Sequence, residues 1–222
     1  MARVTSHQSP VTPSDLWTIV PMKSMARGKL RLSSVLDPAA RARLNRWLLE
    51  RTLAAIGRRD GGLGHSIVVS PCDKVLALAR AAGAVVLREA GGGGLNRAVS
   101  RAAALAARRG ARRTLVIPCD LPGITAGALA VLLRAASGPG DMVIAPDRAR
   151  TGTNALLVSV ERPFEFRFGE GSFARHLLLA AERGWKATIV SRPALEFDLD
   201  TPEDLATWRS RTKRATRSAL FR

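Results

Sequence analysis

Hydrophobic positions in this chain fall into short unbroken runs, and between the runs apolar residues recur every three or four positions. The runs Trp17 to Val20, Ser66 to Ser70, Ala84 to Leu87, Thr114 to Ile117, Met142 to Ala145, Ala155 to Val160 and Ala187 to Val190 predict buried strands. Asp37-Pro38 opens a helical pattern that continues through Leu44, Trp47, Leu48 and Ile56. Further helical patterns cover Asp73 to Ala82, Leu95 to Arg109, Thr125 to Ala136 and Ser172 to Arg183. A last apolar run, Leu195 to Leu199, reads as a strand that gives way to a helix, with Thr201 as N-cap, Pro202 at the first helical position and Glu203 and Asp204 in the first turn. Strands alternating with helices predict an α/β fold with a mainly parallel sheet covered on both faces. Ligands of such sheets bind beyond the carboxyl ends of the strands, so the residues just after each strand carry the functional expectation.

Residues 1–14, rich in Ser, Thr and Pro, read as a flexible leader, 15–209 as a single domain and 210–222 as a basic tail. The tail is either a fraying helix end or an anion-binding arm. At 222 residues and 46% hydrophobic, the chain can bury the core of one ordinary domain. No apolar run approaches the roughly 18 residues of a membrane span, and the N-terminus lacks a signal core, so a cytoplasmic protein is expected.

Charge alters the picture next. The 35 Lys and Arg outnumber the 18 Asp and Glu, and the formal charge of +17 favours anionic partners. Arg supplies nearly all of it, against an Ala-rich background that points to biased base composition. Two of the five lysines, Lys23 and Lys29, nevertheless fall close together after the first strand, where a compact ammonium suits a phosphate. Cys72 and Cys119 lack any zinc spacing and read as small buried residues of a reduced interior, and His7, His65 and His176 are scattered without metal-ligand spacing.

Several loops then carry candidate chemistry. The segment after the first strand bears Lys23, Arg27, Lys29 and Arg31, a set of cations suited to a triphosphate or to an ordinary solvated surface. Gly91 to Gly94 followed by Leu95-Asn96 is neither a Walker A loop nor a GxGxxG fingerprint; it is a plain turn or a place for close nucleotide approach. Asp120 follows its strand directly and is stiffened by Pro118 and Pro122. Alternation along a strand puts Asp198 and Asp200 on one face. Those two aspartates either serve only the helix start or join Asp120 in a set of three carboxylates that suits Mg2+. Thr153 sits in a Gly and hydroxyl turn, and Phe168 to Phe173 places small residues at a helix N-terminus, with Ser172 as N-cap and a site for phosphate or carboxylate.

In order, Val20-Pro21-x-Lys23 with Lys29-x-Arg31-Leu32, Gly94-Leu95-Asn96, Pro118-x-Asp120-Leu121-Pro122, Gly152-Thr153-Asn154-Ala155-Leu156, Phe168-Gly169-x-x-Ser172-Phe173 and Asp198-x-Asp200-Thr201-Pro202 span residues 17 to 208. Together they resemble the guanylyltransferases that activate 2-phospho-L-lactate, phosphoenolpyruvate or 3-phospho-D-glycerate with GTP in coenzyme F-420 biosynthesis. The chain departs from the resemblance where Gly28 and Leu30 flank Lys29, since an Ala-Lys-Ser-type run is more usual there.

The resemblance implies a Rossmann-like, three-layer, glycosyltransferase-A-like nucleotidyltransferase fold with a mostly parallel mixed sheet. It implies catalytic roles for Lys23, Lys29, Arg31 and Asp120, and GTP contacts at Pro21, Lys23, Lys29, Gly94 and Asn96. It further implies phosphoacid contacts at Thr153, Gly169 and Ser172, and Mg2+ on Asp120, Asp198 and Asp200. The implied partners are GTP, a small phosphorylated acid and a downstream transferase, on a monomer or homodimer, with no specific nucleic acid and no membrane. Two alternatives stand beside this reading: another nucleotidyltransferase of the same fold, acting on a sugar phosphate or a molybdenum cofactor, and a nucleic-acid-binding protein suggested by the charge.

Overall fold

The computed structural model describes residues 15–25, 28–59, 61–89, 93–136, 138 and 140–212. The leader, Arg27, Gly91, Gly92 and the tail beyond Thr212 lie outside the described residues. Among the described residues, seven strands form one sheet: β1 (Leu16–Pro21), β2 (Ser66–Ser70), β3 (Val85–Arg88), β4 (Arg113–Val116), β5 (Met142–Pro146), β6 (Thr153–Ser159) and β7 (Ala187–Ile189). Their order is β3-β2-β1-β4-β6-β5-β7. β1 pairs in parallel with β2 and β4, β2 with β3 and β5 with β7, while β6 runs antiparallel between β4 and β5. This reversal has a functional consequence. The start of β6 lies at the same sheet edge as the carboxyl ends of its neighbours, with Thr153 opposite Pro146.

The helices are α1 (Pro38–Gly57), α2 (Asp73–Ala81), α3 (Gly94–Arg108), α4 (Ala126–Arg134), α5 (Ser172–Glu182), α6 (Pro193–Glu196) and α7 (Pro202–Arg211). Asp37 caps α1 by accepting the Ala40 N–H at 2.7 Å, with Pro38 at the first position. Alternation along the strands divides the core. Val20, Val68, Leu115, Val143 and Leu157 pack under α1, α2 and α4, while Ile19, Ile67, Val116, Ile144 and Leu156 pack under α3 and α5. A third cluster joins Leu44 and Leu48 of α1 to Leu199, Leu205 and Trp208, which docks α7 on the first layer. Among the described residues, no helix is long and apolar enough to cross a membrane.

Three local expectations are corrected. Leu195 to Leu199 is not a strand: its first half belongs to the four-residue helix α6, and an extended segment follows. The cause is tertiary. Asn154 Nδ2 takes the Leu195 and Glu196 carbonyls at 3.0 and 3.2 Å, and the Leu199 N–H goes to the Asp120 carbonyl at 3.0 Å, so no sheet ladder is available. Alternation nonetheless survives, since Leu195, Phe197 and Leu199 are buried. Ser172 is not the N-cap of α5; Gly171, with φ of +68°, holds that position and Ser172 begins the helix. Cys72 and Cys119 are free thiols but only half-buried.

Candidate active site

The ends of β1 and β4 lead into a cleft of about 150 Å³ walled by Pro21, Lys23, Ser24, Gly28, Lys29, Asn45, Asp120 and Asp200, among others. Lys29 dominates it. Its backbone is left-handed (φ +57°), a conformation that costs a non-glycine residue on the order of 1 kcal/mol or more and concentrates at functional sites. Its side chain is 8% exposed, and its ammonium lies 2.6 Å from Asp200 Oδ1 and 4.0 Å from Asp120 Oδ2. Burial pulls the Lys29 pKa down, but the two carboxylates outweigh that and hold it above the usual lysine value.

The loop beneath Lys29 is held by α1. Asn45 Nδ2 donates to the Met25 carbonyl at 2.8 Å. A methyl group on Gly28 would stand 2.7 Å from both Asn45 Nδ2 and the Ser24 carbonyl, which accounts for glycine at this position. Lys23 is exposed on the cleft wall, and its carbonyl accepts from Ser70 Oγ at 3.2 Å. Arg31 is exposed on the 3-10 turn Leu30–Leu32 and is not part of the cleft wall.

Asp120 is half-buried, and its Oδ1 is buried without a hydrogen-bond partner among the described residues. Burial pushes its pKa up to about 6; Lys29 pulls it down, and Asp200 and Asp198 push it further up. Asp198 is also raised, by burial first and then by Asp200 and Asp204, against a hydrogen bond from Asn154. Among the described residues, no three His, Cys, Asp or Glu side chains stand gathered to hold a metal ion, and the Lys29 ammonium occupies the space between Asp120 and Asp200. The chemistry of the donors does fit a hard cation. The orphaned, buried Asp120 oxygen, with Asp198 and Asp200 near enough to raise its pKa, supplies hard oxygen donors of the kind a divalent ion takes.

Asp204 keeps Asp198 and Asp200 in place. Its Oδ2 accepts from the Asp200 N–H, the Thr201 N–H and the Thr201 hydroxyl at 3.2, 2.9 and 3.0 Å, and its Oδ1 is paired with Arg148. Burial alone would raise its pKa, but these bonds hold it below the usual carboxylate value. The Thr201-x-x-Asp204 spacing of a capping box was the signal for this role in the sequence. Nothing local signals that Arg148, stacked 4.4 Å above Phe197, is its partner.

The remaining expected residues gather elsewhere on the same edge. Gly94 opens α3 with φ of +68° and is exposed. The Asn96 amide is engaged with protein backbone: it donates to the Phe168 carbonyl at 3.1 Å and accepts the Phe168 N–H at 2.7 Å. Gly169 adopts φ of +118°, which only glycine takes readily, and its carbonyl receives the Ser172 N–H. Ser172 is 1% exposed. Thr153 Oγ1 lies 3.0 Å from Nδ1 of His176, a residue with no local motif in the sequence. His176 is fully buried and its Nε2 accepts the Arg167 N–H at 3.1 Å. Burial, with help from Arg175 and Arg167, pushes its pKa down to about 4. Thus Pro21, Lys23, Lys29, Asp120 and Asp200 share one cleft, whereas Asn96 is joined to the segment preceding α5 and Thr153 to α5 itself.

A model of the family described as "Guanylyl transferase CofC like" matches residues 16–209. The chain belongs to this family. It is 44% identical over 191 residues to a phosphoenolpyruvate guanylyltransferase of Rubrobacter xylanophilus, covering 86% of this chain and 92% of the relative. It is 38% identical over 181 residues to a 3-phospho-D-glycerate guanylyltransferase of Phenylobacterium zucineum, covering 79% and 81% respectively. Its fold is that of a nucleotidyl transferase from Methanothermobacter, with a TM-score of 0.64 at 16% identity over 88% of this chain and 96% of the other. The architecture of this guanylyl transferase is therefore the mixed, mostly parallel nucleotidyltransferase sheet.

Proposed function

We propose that this guanylyl transferase moves GMP from GTP to a small phosphorylated three-carbon acid, with release of pyrophosphate, as a step of coenzyme F-420 biosynthesis. Phosphoenolpyruvate is the first choice of acid, because the relative at 44% identity carries that name. The observation that carries the reading is the Lys29 cleft: a buried ammonium between Asp200 and Asp120, with an unsatisfied carboxylate oxygen, at the carboxyl end of a parallel sheet.

In this reading a phosphate oxygen of the acid forms a bond to the α phosphorus of GTP, and the bond from that phosphorus to the bridging oxygen of the β phosphate breaks. The electron pair leaves with pyrophosphate. A phosphate monoester has a second pKa of about 6 and is largely ionised at neutral pH, so the nucleophile requires placement rather than a general base. Lys23 and Lys29 in the cleft, with Arg31 on the exposed turn beside it, take the triphosphate oxygens, beside Pro21, while Gly94 and Asn96, at the start of α3, take the nucleoside. Lys29 offsets the charge of Asp120 and Asp200 and is positioned to turn towards the phosphates. Thr153, Gly169 and Ser172 receive the acid. Asp120, Asp198 and Asp200 would hold Mg2+, which when bound supplies charge screening between the two anionic reactants.

The test mixes the protein with GTP and Mg2+ and offers phosphoenolpyruvate, 3-phospho-D-glycerate and 2-phospho-L-lactate separately, following pyrophosphate and the mass of the adduct. Pyrophosphate and a guanosine-diphospho adduct are expected with phosphoenolpyruvate. Release with a sugar phosphate and with none of the three acids would overturn the reading.

A further inference from the structure

We propose that His176 is a positioning residue that turns the Thr153 hydroxyl into an obligatory hydrogen-bond donor towards the phosphorylated acid; this rests on the reading that Thr153 lies in the acid site. The argument begins at the ring. His176 Nε2 receives the Arg167 backbone N–H at 3.1 Å, so that nitrogen carries no proton. A neutral imidazole must then bear its proton on Nδ1, which faces Thr153 Oγ1 at 3.0 Å. The hydroxyl therefore accepts from the ring. Its own proton is left to point elsewhere, and Thr153 stands at the start of β6, on the ligand edge of the sheet.

The arrangement is fixed from both sides. Asn96 clamps both the N–H and the carbonyl of Phe168, which holds the neighbouring Arg167 N–H in place. The ring itself is packed between aromatic neighbours, Phe168 edge-on at 5.1 Å and Phe164 at 6.0 Å. A protonated imidazole would set Nε2–H against the Arg167 N–H, donor against donor, so the ring stays neutral. An ionised phosphate or carboxylate has only acceptors, and a hydroxyl held as donor complements either. In this way α3, through Asn96, and α5, through His176, jointly set the polarity of one hydroxyl on β6.

A core histidine that was merely satisfied would support folding and nothing more, and three measurements separate the two roles. Nitrogen-resolved NMR of His176 in the intact protein is expected to show the proton on Nδ1 between pH 5.5 and 8; a proton on Nε2, or titration in that range, overturns the proposal. Steady-state kinetics with GTP and phosphoenolpyruvate follow. His176→Leu is expected to raise KM for the acid about 10-fold or more while KM for GTP changes less than about 2-fold, the loss of one hydrogen bond to a charged group. His176→Asn, which keeps an N–H near the Nδ1 position, is expected to recover most of that loss. Equal effects on both substrates, or no rescue by Asn, overturn the proposal. Thr153→Val distinguishes the two layers: an unchanged KM for the acid removes Thr153 from the acid site whatever the NMR shows. A raised KM in Thr153→Val with a normal one in His176→Leu removes only the role of His176. Should His176→Leu fail to fold, the NMR proton position and His176→Asn decide.

Discussion

The Lys29 cleft and the His176 cluster lie on the same sheet edge and handle buried polarity in opposite ways. In the cleft, full charges are partly buried and incompletely matched: Asp120 keeps an oxygen without a partner, and its pKa is pushed up to about 6. Around His176 the polar groups named are neutral and, apart from the Thr153 hydroxyl proton, paired, from Asn96 through Phe168 and Arg167 to Thr153. Unmatched charge destabilises a fold but leaves binding energy to be released when a counter-ion arrives. A closed neutral network does the reverse: it gives up little on binding and fixes direction beforehand. In the proposed reading the two regions divide the work between attraction and aim.

The largest effect that could break this contrast is on turnover. Asp120→Asn and Asp198→Asn are each expected to lower kcat by about 1000-fold or more, with a circular dichroism spectrum like that of the parent, since in the proposed reading the charge they lose would hold the Mg2+ that serves the reacting phosphates. Near-parental rates in either variant would show that the cleft's charges are structural.

Asp204→Ala comes next. It removes the N3 side of the capping box and the partner of Arg148, at a cost of about 2 kcal/mol, or roughly 4–8 °C in Tm for a domain of this size. The segment carrying Asp198 and Asp200 loosens with it, so activity falls further than stability alone explains. An unchanged melting curve would mean that Leu199, Leu205 and Trp208 hold α7 unaided.

The smallest effect concerns pH. Burial gives Asp120 a folded-state pKa of about 6 against an ordinary value of 3.8, so the folded protein binds the extra proton between those values. The carboxyl's contribution is therefore most favourable below about pH 4 and is lost as pH rises through about 6. Measured with a chelator present, Asp120→Asn is expected to melt a few degrees above the parent at pH 8, with the difference vanishing near pH 4. A variant less stable than the parent at pH 8 would mean that the pairing with Lys29 outweighs the cost of burial.

Particular residues show what was readable before folding. Asp120 could be recognised because it follows a strand directly between two prolines, and the helix start at Thr201 because its cap, proline and acidic first turn are contiguous. Lys29 stands out by its charge and its motif, but its burial between two carboxylates is not foreseeable, because Asp200 is 171 positions away. His176 carries no local signal for a related reason: its significance lies in a hydroxyl 23 residues earlier and in a backbone N–H of a loop. The strand expected at Leu195 failed because the backbone of that segment is claimed by Asn154 and Asp120, which no local pattern reveals.

The sequence by itself determined the alternating α/β architecture, the helix caps and the residue types brought to the strand ends, because each depends on periodicity or on neighbours within a few positions. Tertiary structure alone decided which charges face each other, which are left unmatched and which hydroxyl is turned to donate. Those outcomes depend on distances set by the sheet order, above all by antiparallel β6, which carries Thr153 and Asn154 to the edge where the parallel strands end.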